Sequence, residues 1–161
     1  MVALCTEHGY HITTAESCTG GLISGRIVNV PGASACLDRS FVTYANEAKV
    51  EELGVSVDTL NQFGAVSEQT AREMALGAQK HAGAEVAVAV TGSAGPGGGT
   101  QEKPVGLVYV ACAVKERVWV RRYWFGGDRA KNRENTVTVA LAMARNCILE
   151  YDGIYCHQEM L

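Results

Sequence analysis

The chain has 161 residues, of which 47% are hydrophobic, a proportion typical of a globular domain with its own core. Its net charge is −3 at pH 7 and its pI is about 5.8, and no long basic run is present, so nucleic-acid binding is not favoured. No apolar run approaches the ~20 residues that span a bilayer, which argues against a membrane partner.

The ends and the cysteines indicate a cellular compartment. Residues 1–5 lead into charge within two positions, so the start of the chain does not resemble a signal peptide. None of the six cysteines forms a Cys-x-x-Cys pair, so neither zinc binding nor thioredoxin-like chemistry is supported. We expect a cytoplasmic protein whose cysteines are reduced and mostly buried.

Hydrophobic periodicity and turn residues predict alternating strands and helices. Pro31 and Gly32 break the pattern, and the tail at 152–161 is predicted to be loosely held. The predicted elements are a helix at 1–8, a strand at 11–16, a helix at 19–29, a strand at 40–44, helices at 46–53 and 56–62, a helix from 67, a strand at 86–90, strands at 105–114 and 118–125, and a helix from 128.

The pattern of these elements predicts an architecture. Residues 86–90 are continuously apolar, as in a central strand buried on both faces. Residues 115–117 join two strands into a hairpin, which places an antiparallel pair in the sheet. Small residues at helical spacing after Ser67 predict a helix that lies close to the sheet. We predict an α/β fold over residues 1–161, a single domain forming a three-layer α/β/α sandwich with a mixed, mostly parallel sheet.

Two turns rich in small residues are candidate ligand sites. Residues 16–21, Glu-Ser-Cys-Thr-Gly-Gly, join a strand to a helix, and residues 91–99 follow the central strand. The N–H groups at a helix N-terminus suit an anion or a developing oxyanion. Open α/β sheets bind ligands beyond their strand ends, so both turns are predicted to border one site.

Several common motifs are absent. Residues 92–97 have the spacing of half a P-loop, but glycines follow where Lys and Ser/Thr are required. Thr100 stands where a dinucleotide-binding motif needs its third glycine. The chain has no His-Glu-x-x-His pattern and no Gly-x-Ser-x-Gly elbow, although spacing alone leaves a Ser–His–Asp triad open. We therefore expect neither a metal nor an organic cofactor.

Ser34, Tyr44 and Lys49 form one polar set. A lysine desolvated near a serine can lose its proton and act as a general base, and a tyrosine can relay that proton. Such a set suits metal-free amide hydrolysis. Each residue also has a structural interpretation, because Lys49 can be a solvated helix residue, Tyr44 a packing residue and Ser34 a helix cap.

A second polar set lies in the turns and the last helix. Ser17 and Thr19 either line the site or cap the helix that follows them. Arg129 and Arg133 are four residues apart and share a helix face, where they either make surface ion pairs or clamp a phosphate. Thr91 follows the central strand.

Several long motifs together resemble the CinA C-terminal domain family, which includes the nicotinamide-nucleotide amidases. The match runs in order across about 120 residues. Only about ten residues precede the first motif, so we expect a shorter first helix than is usual in the family, and we expect no activity that belongs to the family's larger N-terminal domain. The motifs are residues 14–21, 41–49, 64–68, 91–96 with 102–106, and 127–129 with Arg133.

The resemblance implies that the protein deamidates nicotinamide mononucleotide to nicotinate mononucleotide and ammonia. It maps the catalytic set onto Ser34, Tyr44 and Lys49, with Ser17 as a rival nucleophile. In this scheme Lys49 deprotonates the serine, which attacks the carboxamide. The implied substrate-binding residues are Thr19, Gly20, Gly21, Thr91, Gly92, Gly95, Arg129 and Arg133.

The resemblance also implies a cytoplasmic homo-oligomer, dimeric or larger, whose partner is a small nucleotide. Two alternatives stay open. The first is a non-catalytic nucleotide-binding or regulatory module of the same family, related to competence or DNA damage. The second is a hydrolase for a different amide.

Overall fold

The computed structural model describes residues 1–154 and contains a five-stranded sheet with helices on both faces. The strands are β1 (Ile12–Glu16), β2 (Phe41–Val42), β3 (Val86–Gly92), β4 (Leu107–Val114) and β5 (Arg117–Trp124). The helices are α1 (Val2–His8), α2 (Leu22–Val28), α3 (Asn46–Leu53), α4 (Val57–Phe63), α5 (Glu68–Ala82) and α6 (Arg129–Tyr151), with a 3-10 turn at Ala33–Ala35.

The strand order is β2-β1-β3-β4-β5. β1 pairs in parallel with β2 and β3, whereas β4 is antiparallel to both β3 and β5. Four strands therefore run in one direction and only β4 opposes them. The predicted three-layer α/β/α sandwich with a mixed sheet is confirmed.

Alternation along β3 explains the two helical layers. Val86, Val88 and Val90 point to the face covered by α1, α2 and α6. Ala87 and Ala89 point to the other face, where α3 and α5 pack. The small alanines let α5 approach closely, as its small-residue stripe predicts.

Two predicted elements next to the cavity described below are shorter in the structure. The helix expected at 19–29 begins at Leu22, because Gly20 and Gly21 have φ angles of 58° and 102° and form a turn. The strand expected at 40–44 ends at Val42, since the chain then turns towards α3. Both departures create the loops that border the cavity described below.

The end of α6 corrects part of the predicted loose tail. Asp152 accepts a hydrogen bond of 2.8 Å from the Tyr10 hydroxyl and pairs with His8 Nδ1 at 2.8 Å. These contacts tie the end of α6 to the segment that precedes β1. Residues 155–161 of the predicted tail lie outside the described part of the chain.

The topology collects loops at one edge of the sheet. β1, β2 and β3 are parallel, so the segments that follow them meet at their common carboxyl edge. These segments begin at Ser17, Thr43 and Ser93. Among residues 1–154, no helix is long and apolar enough to cross a bilayer.

Candidate active site

A cavity of about 210 Å³ opens at the carboxyl edge of β1, β2 and β3. Its apolar wall comes from Ala65, Val66, Gly92 and Ala94, together with Cys18. The polar side chains that line it are Ser17, Tyr44, Lys49, Thr91 and Arg129. Each of these five residues belongs to a different segment of the chain.

Lys49 lies at the base of the cavity and is only 1% exposed. Its Nζ is 2.8 Å from the carbonyl oxygen of Thr43, 3.1 Å from that of Tyr44 and 3.2 Å from Ser17 Oγ. No carboxylate pairs with this amine in the described part of the chain. Burial lowers the pKa of Lys49, and the nearby Cys18 raises it by a smaller amount.

The three oxygen atoms around Nζ match the three N–H bonds of a lysine ammonium, and they also suit the neutral amine. A neutral lysine has two N–H bonds and one lone pair, and the carbonyl groups of Thr43 and Tyr44 accept the two N–H bonds. In the ammonium form Nζ donates to Ser17 Oγ, and in the neutral form its lone pair faces the Ser17 hydroxyl. The arrangement can draw a proton from Ser17 Oγ without a histidine.

Ser17 is held where it can use this base. Its backbone N–H donates to Val90 O at 3.1 Å, and its carbonyl accepts from Gly20 N–H at 3.1 Å. The side chain is 8% exposed and lines the cavity, so a ligand can reach it. Ser17, the rival nucleophile of the sequence analysis, is the serine that lies beside Lys49.

Ser34 lies elsewhere, which corrects the first assignment. It is an exposed residue of the 3-10 turn Ala33–Ala35, and the carbonyl of Cys36, two residues further on, accepts a hydrogen bond from Ile12 N–H at the start of β1. Ser17 follows the other end of β1. Ser34 therefore sits at the amino edge of the sheet and neither lines the cavity nor contacts Lys49.

Tyr44 contributes differently from the expected proton relay. Its backbone carbonyl binds Lys49, whereas its side chain is 62% exposed at the mouth of the cavity. There its hydroxyl accepts a hydrogen bond of 3.1 Å from Arg129 Nη2. Arg129 Nη1 donates to the Gly95 carbonyl at 2.7 Å, which orients the guanidinium at the rim.

Arg133 does not line the cavity. Its Nε donates to Cys18 O at 2.9 Å and its Nη2 to Thr19 O at 3.2 Å. These two bonds fasten the turn after Ser17 to α6. Of the two arginines, Arg129 is therefore the one placed to meet a ligand.

A carboxylate of the protein itself occupies the helix end that follows the turn at 17–21. The carboxylate of Glu16 accepts hydrogen bonds from Ile23 N–H and Ser24 N–H at the start of α2, so the expected anion at this helix end is the protein's own. Thr19 is fully buried and also donates to Glu16. Thr19, Gly20 and Gly21 do not line the cavity, which corrects their expected contact with substrate.

The second turn, at residues 91–99, forms part of the cavity wall and limits its shape. Thr91 lines the cavity and its hydroxyl donates to Ala65 O at 2.7 Å, which fixes the loop that carries Ala65 and Val66. A Cβ on Gly92 would lie 2.6 Å from Val108 Cγ2, so only glycine fits there. Gly95 acts through its carbonyl, which holds Arg129.

Cys18 is adjacent to Ser17 but is a poor nucleophile. Burial raises the pKa of this thiol to about 11, with smaller opposing effects that include Arg133 and Lys49. The thiol is therefore protonated at neutral pH. The cysteines at 5, 18, 36, 112 and 147 are all buried and free, and Cys156 lies outside the described residues.

Two site residues were missed from the sequence. Glu16 is a carboxylate at a strand end before small residues, a pattern that can cap the following helix. Asn132 is 1% exposed and joins Ala94 O to Gly127 O through its amide nitrogen, and no sequence signal marks it. Residues 1–154 contain no cluster of three or more His, Cys, Asp and Glu side chains suited to a metal ion.

Comparison with known proteins identifies the family. Residues 1–148 match the model described as the CinA C-terminal domain. The chain is 50% identical over 143 residues to a competence-damage inducible protein of Clostridium tetani, covering 89% of this chain and 35% of that protein. It is 49% identical over 149 residues to a CinA-like protein of Kosmotoga olearia, covering 92% and 36% respectively. The chain thus spans a little over a third of these curated relatives.

Solved structures agree. The crystal structure of a competence/damage inducible protein of Agrobacterium tumefaciens has a TM-score of 0.86 and 49% identity, covering 88% of this chain and 87% of that one. A CinA superfamily protein of Escherichia coli has a TM-score of 0.84 and 36% identity, covering 88% and 84%. On the family match, the sequence identities and these folds together, the chain belongs to the CinA C-terminal domain family.

Proposed function

We propose that the protein is an amidohydrolase that converts nicotinamide mononucleotide to nicotinate mononucleotide and ammonia, with Ser17 as nucleophile and Lys49 as general base. The observation that carries this proposal is the buried Lys49 amine, 3.2 Å from Ser17 Oγ and unpaired with any carboxylate of the described residues. A desolvated amine beside an accessible hydroxyl is the arrangement of a Ser/Lys hydrolase.

The reaction follows from these two groups. Lys49 accepts the Ser17 proton as Oγ attacks the carboxamide carbon and forms a C–O bond. Lys49 then donates that proton to the amide nitrogen as the C–N bond breaks and ammonia leaves. Water, deprotonated by Lys49, attacks the acyl-serine, and Lys49 returns that proton to Ser17 Oγ as the C–O bond to the serine breaks. The carboxylic acid that leaves then loses its proton to solvent and becomes the carboxylate.

The carboxamide oxygen becomes negatively charged in the tetrahedral intermediate. The donor that we assign to it is the backbone N–H of Cys18, which lines the cavity directly after Ser17. In known acyl-transfer sites the loss of one such donor costs about 3–4 kcal/mol of transition-state stabilisation. Arg133 binds the carbonyl groups of Cys18 and Thr19, so this donor is fixed before the substrate arrives.

The size and lining of the cavity favour a substrate whose reacting end is a ring. Its volume of about 210 Å³ is below the ~300 Å³ of a pocket for an entire drug-sized ligand, and its walls include Ala65, Val66 and Ala94. A flat carboxamide-bearing ring fits this description, while the ribose and phosphate extend to the rim. Arg129 lies at that rim and can pair with the phosphate.

The test is ammonia release from nicotinamide mononucleotide by the purified protein. Ser17→Ala and Lys49→Met should each abolish it, whereas Lys80→Met on the exposed end of α5 should not change it. The rate should be the same with EDTA present. Nicotinamide riboside, which lacks the phosphate, should react with a higher KM.

Two outcomes would redirect the proposal. Saturable nucleotide binding without ammonia from the unmutated protein would indicate a binding module. Ammonia release from another amide, with none from nicotinamide mononucleotide, would keep the Ser/Lys chemistry and replace the substrate.

A further inference from the structure

Glu16 is a fully buried carboxylate that precedes the proposed nucleophile. It makes no ion pair in the described part of the chain. Instead it accepts four hydrogen bonds, one each from Thr14 Oγ1 (2.9 Å), Thr19 Oγ1 (2.7 Å), Ile23 N (2.8 Å) and Ser24 N (3.0 Å). A buried charge is tolerated when its lone pairs are satisfied in this way.

The four donors are divided evenly between the two oxygens. Oε1 faces the Thr19 hydroxyl and Ile23 N–H, and Oε2 faces the Thr14 hydroxyl and Ser24 N–H. A hydroxyl can rotate to accept, but a backbone N–H can only donate. Each oxygen therefore accepts from one backbone N–H, and one threonine hydroxyl lies beside each.

These bonds surround Ser17. Glu16 ends β1, its side chain reaches over the turn to the start of α2, and it also fixes Thr19 within the turn. Ser17 lies on the backbone between these anchors, with its own N–H on Val90 O. The direction of Ser17 Oγ towards Lys49 thus depends on where the Glu16 carboxylate holds the turn.

We propose that Glu16 is the positioning residue of this site: its four hydrogen bonds hold the turn so that Ser17 Oγ lies against Lys49. This inference rests on the proposed function in assigning Ser17 as the nucleophile. Glu16 touches neither the cavity nor a ligand placed in it, so its effect is on the reactivity of Ser17 and not on binding.

Glu16→Gln is the direct test, because it keeps the shape and replaces one acceptor oxygen with an NH2 donor. Whichever way the amide is turned, its NH2 group meets Ile23 N–H or Ser24 N–H, so the turn must shift. We expect the rate of covalent labelling of Ser17 by a fluorophosphonate probe to fall 10- to 100-fold. With nicotinamide mononucleotide, kcat should fall by the same factor and KM should change less than threefold, since Arg129 is untouched.

Glu73→Gln is the matched control. Glu73 accepts from Ser56 N–H at 2.7 Å and from Thr59 Oγ1 at 2.6 Å at the start of α4, so it caps a helix in the same way outside the cavity. Its substitution should lower the melting temperature and leave the labelling rate within twofold. This variant separates positioning from a general loss of stability.

A milder pair covers the case in which Glu16→Gln fails to fold. Thr19→Val removes one hydroxyl donor to Oε1 and should slow labelling, whereas Thr19→Ser keeps that donor and should restore it. Labelling of a folded Glu16→Gln or Thr19→Val protein at the unmutated rate would overturn the proposal. An equal slowing by Glu73→Gln would also overturn it.

The probe separates this inference from the proposed function. If the unmutated protein labels at Ser17 but releases no ammonia from the nucleotide, the proposed reaction fails and the Glu16 comparison still decides the positioning role. If the probe does not label Ser17 in the unmutated protein, Ser17 is not reactive. Glu16 then cannot control its reactivity, and the inference fails.

Discussion

The Lys49 amine and the Ser17 hydroxyl lie 3.2 Å apart although 32 residues separate them along the chain. Parallel pairing of β1 with β2 brings them together, because Ser17 follows β1 and the loop after β2 leads into α3, which carries Lys49. The two carbonyl groups of that loop then direct the amine at the serine.

The two candidate serines give the first prediction. Ser17→Ala should lower kcat for ammonia release by about 10³-fold or more, as expected when a nucleophile is removed. Ser34→Ala should leave kcat and KM within twofold, because Ser34 is exposed at the opposite edge of the sheet. Steady-state assays of both variants decide the assignment, and a large loss in Ser34→Ala with an active Ser17→Ala would reverse it.

Lys49 should control the pH dependence of catalysis. Only the neutral amine can accept the Ser17 proton, so kcat/KM should rise with pH as Lys49 loses its proton. Burial lowers the pKa of Lys49, so this rise should come below the ordinary lysine value of 10.5. A profile measured between pH 5 and 10 tests this, and a rate that falls with pH across that range would contradict a lysine base.

The same shift should appear in stability. Because the pKa of Lys49 is lower in the folded protein, the unfolded chain binds more protons between the folded value and 10.5. The free energy of unfolding should therefore rise with pH in that window, by up to about 1.4 kcal/mol per pH unit. Lys49→Met removes the titrating group.

Denaturant unfolding of both proteins at several pH values measures this difference. As pH falls towards the pKa of Lys49 in the folded protein, the free energy of unfolding of the unmutated protein should fall relative to that of Lys49→Met. Below that pKa the difference between the two proteins should stay constant. Parallel pH profiles would mean that Lys49 is not desolvated in solution.

The sequence predicted the sheet better than the site. The apolar run at 86–90 and the hairpin around 115–117 are local signals, and both elements are present. Ser34 was wrongly predicted to lie at the site, although the direction of the strands indicates where it lies. In a parallel β1–β2 pair the connecting segment must return to the amino edge, so a serine near its far end lies away from the carboxyl edge.

The contacts of Glu16 and Arg133 could not be derived from spacing. Arg133 reaches Cys18 O across 115 residues, a contact set by the packing of α6 over α2 and the sheet. Two arginines on one helix face look equivalent along the chain. Only the position of the turn after β1 assigns one to the backbone and the other to the cavity rim.

That division leads to a kinetic prediction. Arg129→Met should raise KM for nicotinamide mononucleotide about 10- to 100-fold with a smaller change in kcat, because a charge-assisted phosphate contact contributes about 1.5–3 kcal/mol. Arg133→Met should instead lower kcat, since its bonds hold the turn that carries Ser17. Steady-state kinetics of both variants test this, and equal effects on KM would contradict it.

Close packing of α5 gives a prediction about the fold. A Cβ on Gly77 would lie 1.8 Å from the Leu53 carbonyl oxygen at the end of α3, a backbone atom that cannot rotate away. Gly77→Ala should therefore lower the free energy of unfolding by about 1–3 kcal/mol or more, although alanine favours a helix. Gly25 lies within α2 with no atom inside 4 Å of its ideal Cβ, so Gly25→Ala should raise that free energy by up to about 1 kcal/mol. Urea unfolding of the two variants measures both effects, and a stabilised Gly77→Ala would show that α3 and α5 are not in this contact.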